Sequence, residues 1–338
     1  MTTIAEPRGA VAGPSPSTGW AAWLVPAVLS VALLVAAVAS LFAGSVSISA
    51  PEIVRALLGG NETVCEIIIW QLRVPRTLLA MLIGASLGLS GAVLQGLLGI
   101  SGAAAFGAVL AFYSGFASLL LLALPLGGMA GAGGAVALLL LLGGPRASTL
   151  TLILAGVAVS SLAGALTALA LNLSPNPYAA TEVIFWMMGS LADRSFEHVT
   201  MTTICMLPGW LLLFSTRRAL DALSLDEDTA TSLGFNVGAV RLSAALGTAL
   251  AVGSAVSVSG TIGFVGLVVP HLLWPLVGAQ PGRLLVVSAL CGALLLTVTD
   301  IVVRLFSTGP ELKIGVLTAL LGAPFFLVLL LRLRTKLS

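Results

Sequence analysis

Ten apolar runs follow one another along this chain of 338 residues, and short polar or glycine- and proline-containing segments separate them. Each run suits a membrane-spanning helix, which needs about 20 mostly apolar residues. The alternation of polar and apolar positions that is typical of outer-membrane barrel strands does not occur. The predicted spans are residues 20–43, 77–97, 99–122, 124–143, 152–172, 199–216, 238–258, 262–277, 284–303 and 314–331.

This pattern predicts an all-α integral membrane protein with about ten transmembrane helices. Residues 1–19 are rich in Pro, Gly, Ser and Thr and are predicted to form a flexible cytoplasmic tail. The first apolar run is too long for the core of a signal peptide and no basic cluster precedes it, so we expect it to be retained. Residues 20–338 are therefore predicted to form a single transmembrane domain.

Composition supports the membrane assignment. The chain is 58% hydrophobic and only 8% charged, whereas a soluble domain carries about 25% charged residues. Three cysteines lie far apart without a CxxC spacing, so the sequence predicts no disulfide and no metal site.

Glycine is abundant, with 38 residues, and one group of small residues is periodic. Gly84, Gly88, Ala92 and Gly96 recur every four positions and so share one helix face. Such a face lets two membrane helices approach closely. The alternative interpretation is a glycine face that lines a wide pathway.

The distribution of lysine and arginine predicts the orientation. An even number of spans puts both termini on one side, and cytoplasmic termini leave nine basic residues inside and six outside. Arg73, Arg76 and Arg304 then face outward, against the usual trend. They could be interfacial side chains whose head groups reach water, or an anion dock for a partner's carboxylates, which a guanidinium binds through two hydrogen bonds.

One long polar segment, residues 217–237, separates two spans on the predicted cytoplasmic side. Ser224 and Glu227 match a capping box, acidic residues fill the expected first turn, and Gly234 is a natural helix stop. Ala230 and Leu233 are expected to share one face of a helix of about nine residues. This helix either covers the bundle or binds a partner protein through Ser224, Leu225, Asp226, Glu227, Asp228, Thr229, Ala230, Leu233 and Gly234.

Candidate chemistry inside the spans is sparse. Asp300 and Arg304 are four residues apart and predict an ion pair on one helix face, and His198 and His271 are interpreted as structural. The sequence has no G-x-x-x-x-G-K-[ST] phosphate loop, no nucleophile with its base and no metal cluster. We therefore expect a transport subunit rather than an enzyme, with no cofactor of its own, and any ATP would bind a separate subunit.

Six stretches, taken in order, resemble a known family. They are "RVPRTLLAMLIGASLGLSGAVLQGLL", "LILAGVAVSSLAGALTAL", "FWMMGSLA", "LSLDEDTATSLGFNV", "SGTIGFVGLVVPH" and "ELKIGVLTALLGAPFFLVLL". Together they resemble the FecCD family, the membrane permeases of ABC importers for iron–siderophore, haem and cobalamin. The resemblance implies a ten-helix subunit of the bacterial inner membrane. Its implied partners are a second permease (a homodimer or a sister chain), two cytoplasmic ATPases and a periplasmic or lipoprotein binding protein.

The resemblance also implies residue roles. Arg73, Arg76 and Arg304 would form outward pockets for glutamates of the binding protein, and the polar segment would engage the ATPase. Gln95, Ser148 and Thr149 would belong to the pathway and its gate. The chain departs from the family pattern after "GAVLQGLL", where a turn is missing near Leu98-Gly99, and this puts the gate in question. Trp274 and Lys313 stand where relatives tend to carry arginine and proline.

The sequence thus predicts an ATP-driven importer permease with an iron–siderophore as cargo, and with haem or cobalamin as alternatives. A secondary transporter that works without an ATPase is a rival hypothesis, but it predicts buried ionisable residues beyond those found. A membrane scaffold that does not transport is a second rival, suggested by the missing turn.

Overall fold

Helices form all the regular structure in the residues that the computed structural model describes, which are 21–44, 46, 48–58, 64–93, 123–143, 149–174, 176–225, 227–277, 280–306 and 312–337. We number them in chain order. They are α1 Ala21–Phe42, α2 Ala50–Leu58, α3 Val64–Val93, α4 Ala123–Gly143, α5 Thr149–Asn172, α6 Pro177–Met187, α7 Phe196–Ser215, α8 Arg217–Leu223, α9 Glu227–Ser232, α10 Val237–Ser259, α11 Val265–Leu273, α12 Pro281–Phe306 and α13 Ile314–Leu337.

Nine of the ten predicted spans coincide with these helices, and the all-helical prediction is confirmed for the described residues. Within the described residues, six helices are long and apolar enough to cross a membrane, and two shorter apolar helices accompany them. The predicted span at 99–122 lies outside the described residues, as do the tail and the position of the missing turn. The sequence did not predict α2, α6 or the start of α3, where Ile68–Arg73 form a π-helical turn.

Helices α3 and α12 pack closely against each other. A Cβ on Gly84 would overlap the carbonyl oxygen of Gly292, and a Cβ on Gly88 would overlap that of Ser288. The two backbones therefore touch, which only glycine permits at these positions. The packing interpretation of the glycine face is confirmed for Gly84 and Gly88.

Helix α10 is buried along most of its length, and a broken stretch of backbone follows it. Gly260 adopts a φ of +71° and Phe264, just before α11, a φ of +67°. Three serine hydroxyls of α10 donate to carbonyls within the helix, namely those of Ser254, Ser257 and Ser259; the bond from Ser254 to Leu250 is 2.6 Å long. This arrangement leaves few polar groups exposed in the apolar interior.

Helix α12 defines two opposite ends of the bundle. Its first turn contacts α8, because Asp221 accepts a hydrogen bond from the amide of Gly282. Its last turn contacts the end of α1 through Arg304. At 1.5 Å per residue, 26 residues span about 39 Å. We call these the α8 end and the arginine end.

Candidate functional site

The arginine cluster consists of Arg73, Arg76, Arg304 and Asp300. The Asp300 side chain is fully buried between two guanidiniums, 2.8 Å from Nε of Arg76 and 2.7 Å from Nη2 of Arg304. The second distance confirms the predicted pairing four residues apart. The first joins α12 to α3 and was not predicted. Among the described residues, three arginines thus gather around one carboxylate.

Groups at the end of α1 and in the residues just after it accept most of the other hydrogen bonds of the arginine cluster. Arg73 donates to the carbonyl oxygens of Leu41 and Val46, each at 2.5 Å. Arg304 donates to the carbonyls of Ser40 and Ala43, at 2.9 and 3.2 Å, and to the Ser40 hydroxyl. The last carbonyls of a helix lack intrahelical partners and carry partial negative charge, so guanidiniums stabilise them.

The three arginines are more buried than interfacial side chains would be. Arg73 is only 5% exposed, and the side chain of Arg304 is 7% exposed, whereas that of Arg76 is 14% exposed. The interpretation as interfacial side chains that reach water does not apply to Arg73 or Arg304. Their guanidiniums bind backbone carbonyls instead. The three lie together at one end as the sequence analysis expected, but they do not form open pockets here, since each is engaged within the chain.

The polar segment lies at the α8 end and forms two short helices, α8 and α9. Leu220 of α8 packs against a cluster of buried residues from four spans, Leu89, Leu213, Ala251 and Leu285. An ion pair between Glu227 and Arg241, 3.1 Å long, connects α9 to α10. Helix α9 thus exposes its acidic residues, while the ion pair with Arg241 and the buried Ala230 hold it against the rest of the protein.

The predicted capping box is wrong. Ser224 has φ −69° and ψ −15°, whereas an N-cap residue needs extended backbone. Its hydroxyl instead donates to the carbonyl of Asp221 at 2.7 Å and so closes α8. The physical reason is that α8 continues almost directly from α7, which places Ser224 at the end of one helix rather than at the start of the next. Helix α9 accordingly has six residues rather than about nine.

The predicted helix stop is confirmed. Gly234 has a φ of +89°, its amide donates to Thr231, and the amide of Phe235 donates to Ala230. These two bonds form a Schellman motif. Ala230 and Leu233 do not share a face as expected, because Ala230 is fully buried and Leu233 is 62% exposed. Leu225 is 73% exposed, so two leucines project beside the acidic residues of α9.

The predicted gate residues, Gln95, Ser148 and Thr149, stay a prediction, since their side chains are not among those that the structure describes. Gln95 and Ser148 lie outside the described residues, and so does Asp226. Thr149 begins α5, but its side chain is not described.

The histidines take structural positions. Nδ1 of His198 lies 3.0 Å from the Ser195 hydroxyl and 3.3 Å from the Ser195 amide, at the start of α7. The ring of His271 meets the edge of Phe325, with centroids 6.3 Å apart. The structural interpretation of His198 is confirmed by its capping contacts.

A cavity of about 550 Å³ lies beside the broken backbone between α10 and α11. Met187 and Met188 line one side, and Val316 and Leu320 of α13 line another. The Thr261 hydroxyl donates to the carbonyl of Met187, which fixes the loop against α6. The sequence did not predict this cavity, although Gly260, Thr261 and Gly263 interrupt two apolar segments at this point.

The arrangement is that of a helical membrane subunit with a polar segment at one end and a cationic cluster at the other. A model of the FecCD transport family matches residues 32–332. The chain belongs to the FecCD transport family. The family resemblance and the fold class predicted from the sequence are therefore confirmed.

Relatives of this FecCD chain include permeases named for two substrates. It is 40% identical over 283 residues to the vitamin B12 import system permease protein BtuC of Vibrio cholerae, covering 78% of this chain and 83% of that one. It is 36% identical over 325 residues to the molybdate import system permease protein MolB of Haemophilus influenzae, covering 90% and 95%.

A solved structure agrees with this assignment. A chain described as an inward-facing conformation of a metal-chelate type ABC transporter has a TM-score of 0.79 and 35% identity, covering 91% of this chain and 99% of that one. The FecCD chain described here is thus a multi-pass membrane permease of the ABC-importer type.

Proposed function

We propose that this chain is the transmembrane permease subunit of an ATP-driven importer of the bacterial inner membrane. It pairs with a second permease, either another copy or a sister chain, and both termini are cytoplasmic. Two ATPase subunits bind residues 224–234 of the polar segment, and a periplasmic or lipoprotein binding protein delivers cargo at the arginine end. The observation that carries the proposal is the exposed acidic helix α9, at the opposite end of α12 from the cationic cluster.

The ATPase contact rests on the shape and exposure of α9. The helix is anchored by Ala230, closed by Gly234 and flanked by the exposed Leu225 and Leu233, so it presents an ordered mixed surface. Exposed apolar side chains beside charges are typical of protein interfaces. We expect Leu233→Asp to strip the ATPase from the detergent-solubilised complex, since a buried unpaired carboxylate opposes association.

Leu58→Asp is the matched control. Leu58 is 80% exposed on α2, near the arginine end, and its replacement should leave the ATPase complement unchanged. Retention of a full ATPase complement by Leu233→Asp would refute the assignment of this surface.

The docking contact is proposed at Arg76. Its guanidinium is the least buried of the three, and a guanidinium can bind a partner's carboxylate through two hydrogen bonds. Arg73 and Arg304 would then act indirectly, by fixing the end of α1. We expect Arg76→Gln to weaken binding-protein docking about tenfold, the worth of one charge-assisted hydrogen bond, with a larger effect at low salt.

Biolayer interferometry at two salt concentrations measures this effect. Lys313→Gln serves as a control for loss of one positive charge near the same end, and it should change affinity less. Equal affinities for Arg76→Gln and the unaltered chain at low salt would rule out docking at Arg76.

The proposed cargo is a metal complex, with an iron–siderophore as the predicted form. The relatives named for vitamin B12 and molybdate import make cobalamin the second candidate, followed by haem. Uptake of radiolabelled ferric siderophore, cyanocobalamin and molybdate into proteoliposomes that contain the whole importer separates these. Uptake without any ATPase would favour a secondary transporter instead, and a complete assembly without uptake of any cargo would favour the scaffold hypothesis.

A further inference from the structure

We propose that Asp221 is a positioning residue that couples the polar segment to the α3–α12 pair. It would transmit ATPase-driven movement across the bundle to the arginine end. This inference rests on the proposed function. It adds a specific contact, the one between Asp221 and the start of α12, whose removal should separate ATP hydrolysis from the response to docking.

The contact is direct. Oδ1 of Asp221 accepts a hydrogen bond from the amide of Gly282 at 2.7 Å. That amide lies in the first turn of α12, where backbone N–H groups lack intrahelical partners and the helix dipole favours an anion. An aspartate from α8 therefore caps a different helix, 61 residues away in the chain.

Glycine at position 282 makes this approach possible. A Cβ there would overlap Oδ2 of Asp221 and would lie 2.8 Å from Cγ of Arg217. Helix α8 thus meets the backbone of α12 directly at Gly282, beside the packing of Leu220 against the buried cluster that includes Leu285. Such a contact has little freedom to slide, so displacement of α8 displaces the start of α12.

Helix α12 then carries the displacement to the other end. The backbone contacts of Gly84 with Gly292 and of Gly88 with Ser288 hold α12 and α3 as one unit. At the far end, the same two helices supply all four residues of the arginine cluster. The proposed ATPase surface is therefore linked through α8 to one end of this helix pair, and the proposed docking surface lies at the other end.

Two variants break the contact from its two sides. Asp221→Ala removes the acceptor from α8, and Gly282→Ala pushes the carboxylate away from α12. Asp221→Asn keeps an oxygen that can accept from Gly282 and serves as the conservative variant. Glu182→Ala, which removes an exposed carboxylate from α6, is the control for loss of one negative charge.

The experiment measures ATP hydrolysis by the reconstituted importer with and without its binding protein. We expect Asp221→Ala and Gly282→Ala to keep the ATPase bound and its basal rate, but to lose stimulation by the binding protein about fivefold or more, as is typical of allosteric coupling. Asp221→Asn should retain most of the stimulation, and Glu182→Ala should retain all of it.

Full stimulation of Asp221→Ala would overturn the inference and leave the proposed function intact. Loss of the ATPase from both alanine variants would also overturn it, since Asp221 would then only anchor the segment. Failure of the unaltered chain to bind any ATPase would refute the proposed function instead.

Discussion

Replacement of Asp300 by asparagine tests the arginine cluster most directly. The substitution keeps the shape of the side chain and its capacity for hydrogen bonds, but removes the one negative charge of the cluster. Arg76 and Arg304 would each lose an ionic partner, and the Asp300 site is fully buried, so water cannot take its place.

The magnitude follows from the two distances of 2.8 and 2.7 Å. With an effective dielectric constant of about 20, Coulomb attraction is roughly 6 kcal/mol for each pair. Desolvation of the three groups cancels a large part of this attraction. Breaking a buried pair by removing one partner typically costs about 3–5 kcal/mol, and at about 2–4 °C per kcal/mol we expect the Tm to fall by roughly 10 °C.

Tryptophan fluorescence during thermal unfolding in detergent provides the assay, since the chain has six tryptophans. Asp193→Asn is the matched control, because Asp193 is exposed and its left-handed backbone, with φ 56°, suits asparagine. The double variant Asp300→Asn with Arg76→Gln should be less destabilised than the sum of the single variants. Equal Tm values for Asp300→Asn and Asp193→Asn would refute the reasoning.

Two further outcomes are expected. Gly84→Ala should lower the Tm, because its Cβ would overlap the carbonyl of Gly292. Gly133→Ala is the control, since its Cβ would lie in open space and the change should be neutral or slightly stabilising. Similar effects of both variants on the Tm would contradict the close packing of α3 and α12. Hydrogen bonds from the Ser49 hydroxyl and amide lower the pKa of Glu52 below its usual 4.5. The ionised Glu52 therefore stabilises α2 above pH 4.5, and this stabilisation is lost as the pH falls through the lowered pKa of the folded protein. Hydrogen exchange of α2 should show this loss, and Glu52→Gln should abolish the pH dependence; an unchanged pH profile in Glu52→Gln would assign the loss to another group.

Local patterns predicted local structure well where few alternatives competed. Gly234 ends α9 with positive φ because only glycine reaches that backbone conformation without strain. Asp300 pairs with Arg304 because four residues along a helix bring side chains to one face. Ser224 shows the limit of such patterns, since its capping motif is overridden by the continuation of α7 into α8.

The length and apolar character of the runs determined by themselves that this chain is a helical membrane protein, because backbone groups in lipid must pair within each span. The partners of Arg73, Arg76 and Arg304 were decided only by the tertiary structure. Arg304 meets Ser40 across 264 positions and Arg76 meets Asp300 across 224. The groups that Arg73 and Arg304 bind are mostly backbone carbonyls, which every residue carries, so no sequence pattern marks them until packing brings the end of α1 beside α3 and α12.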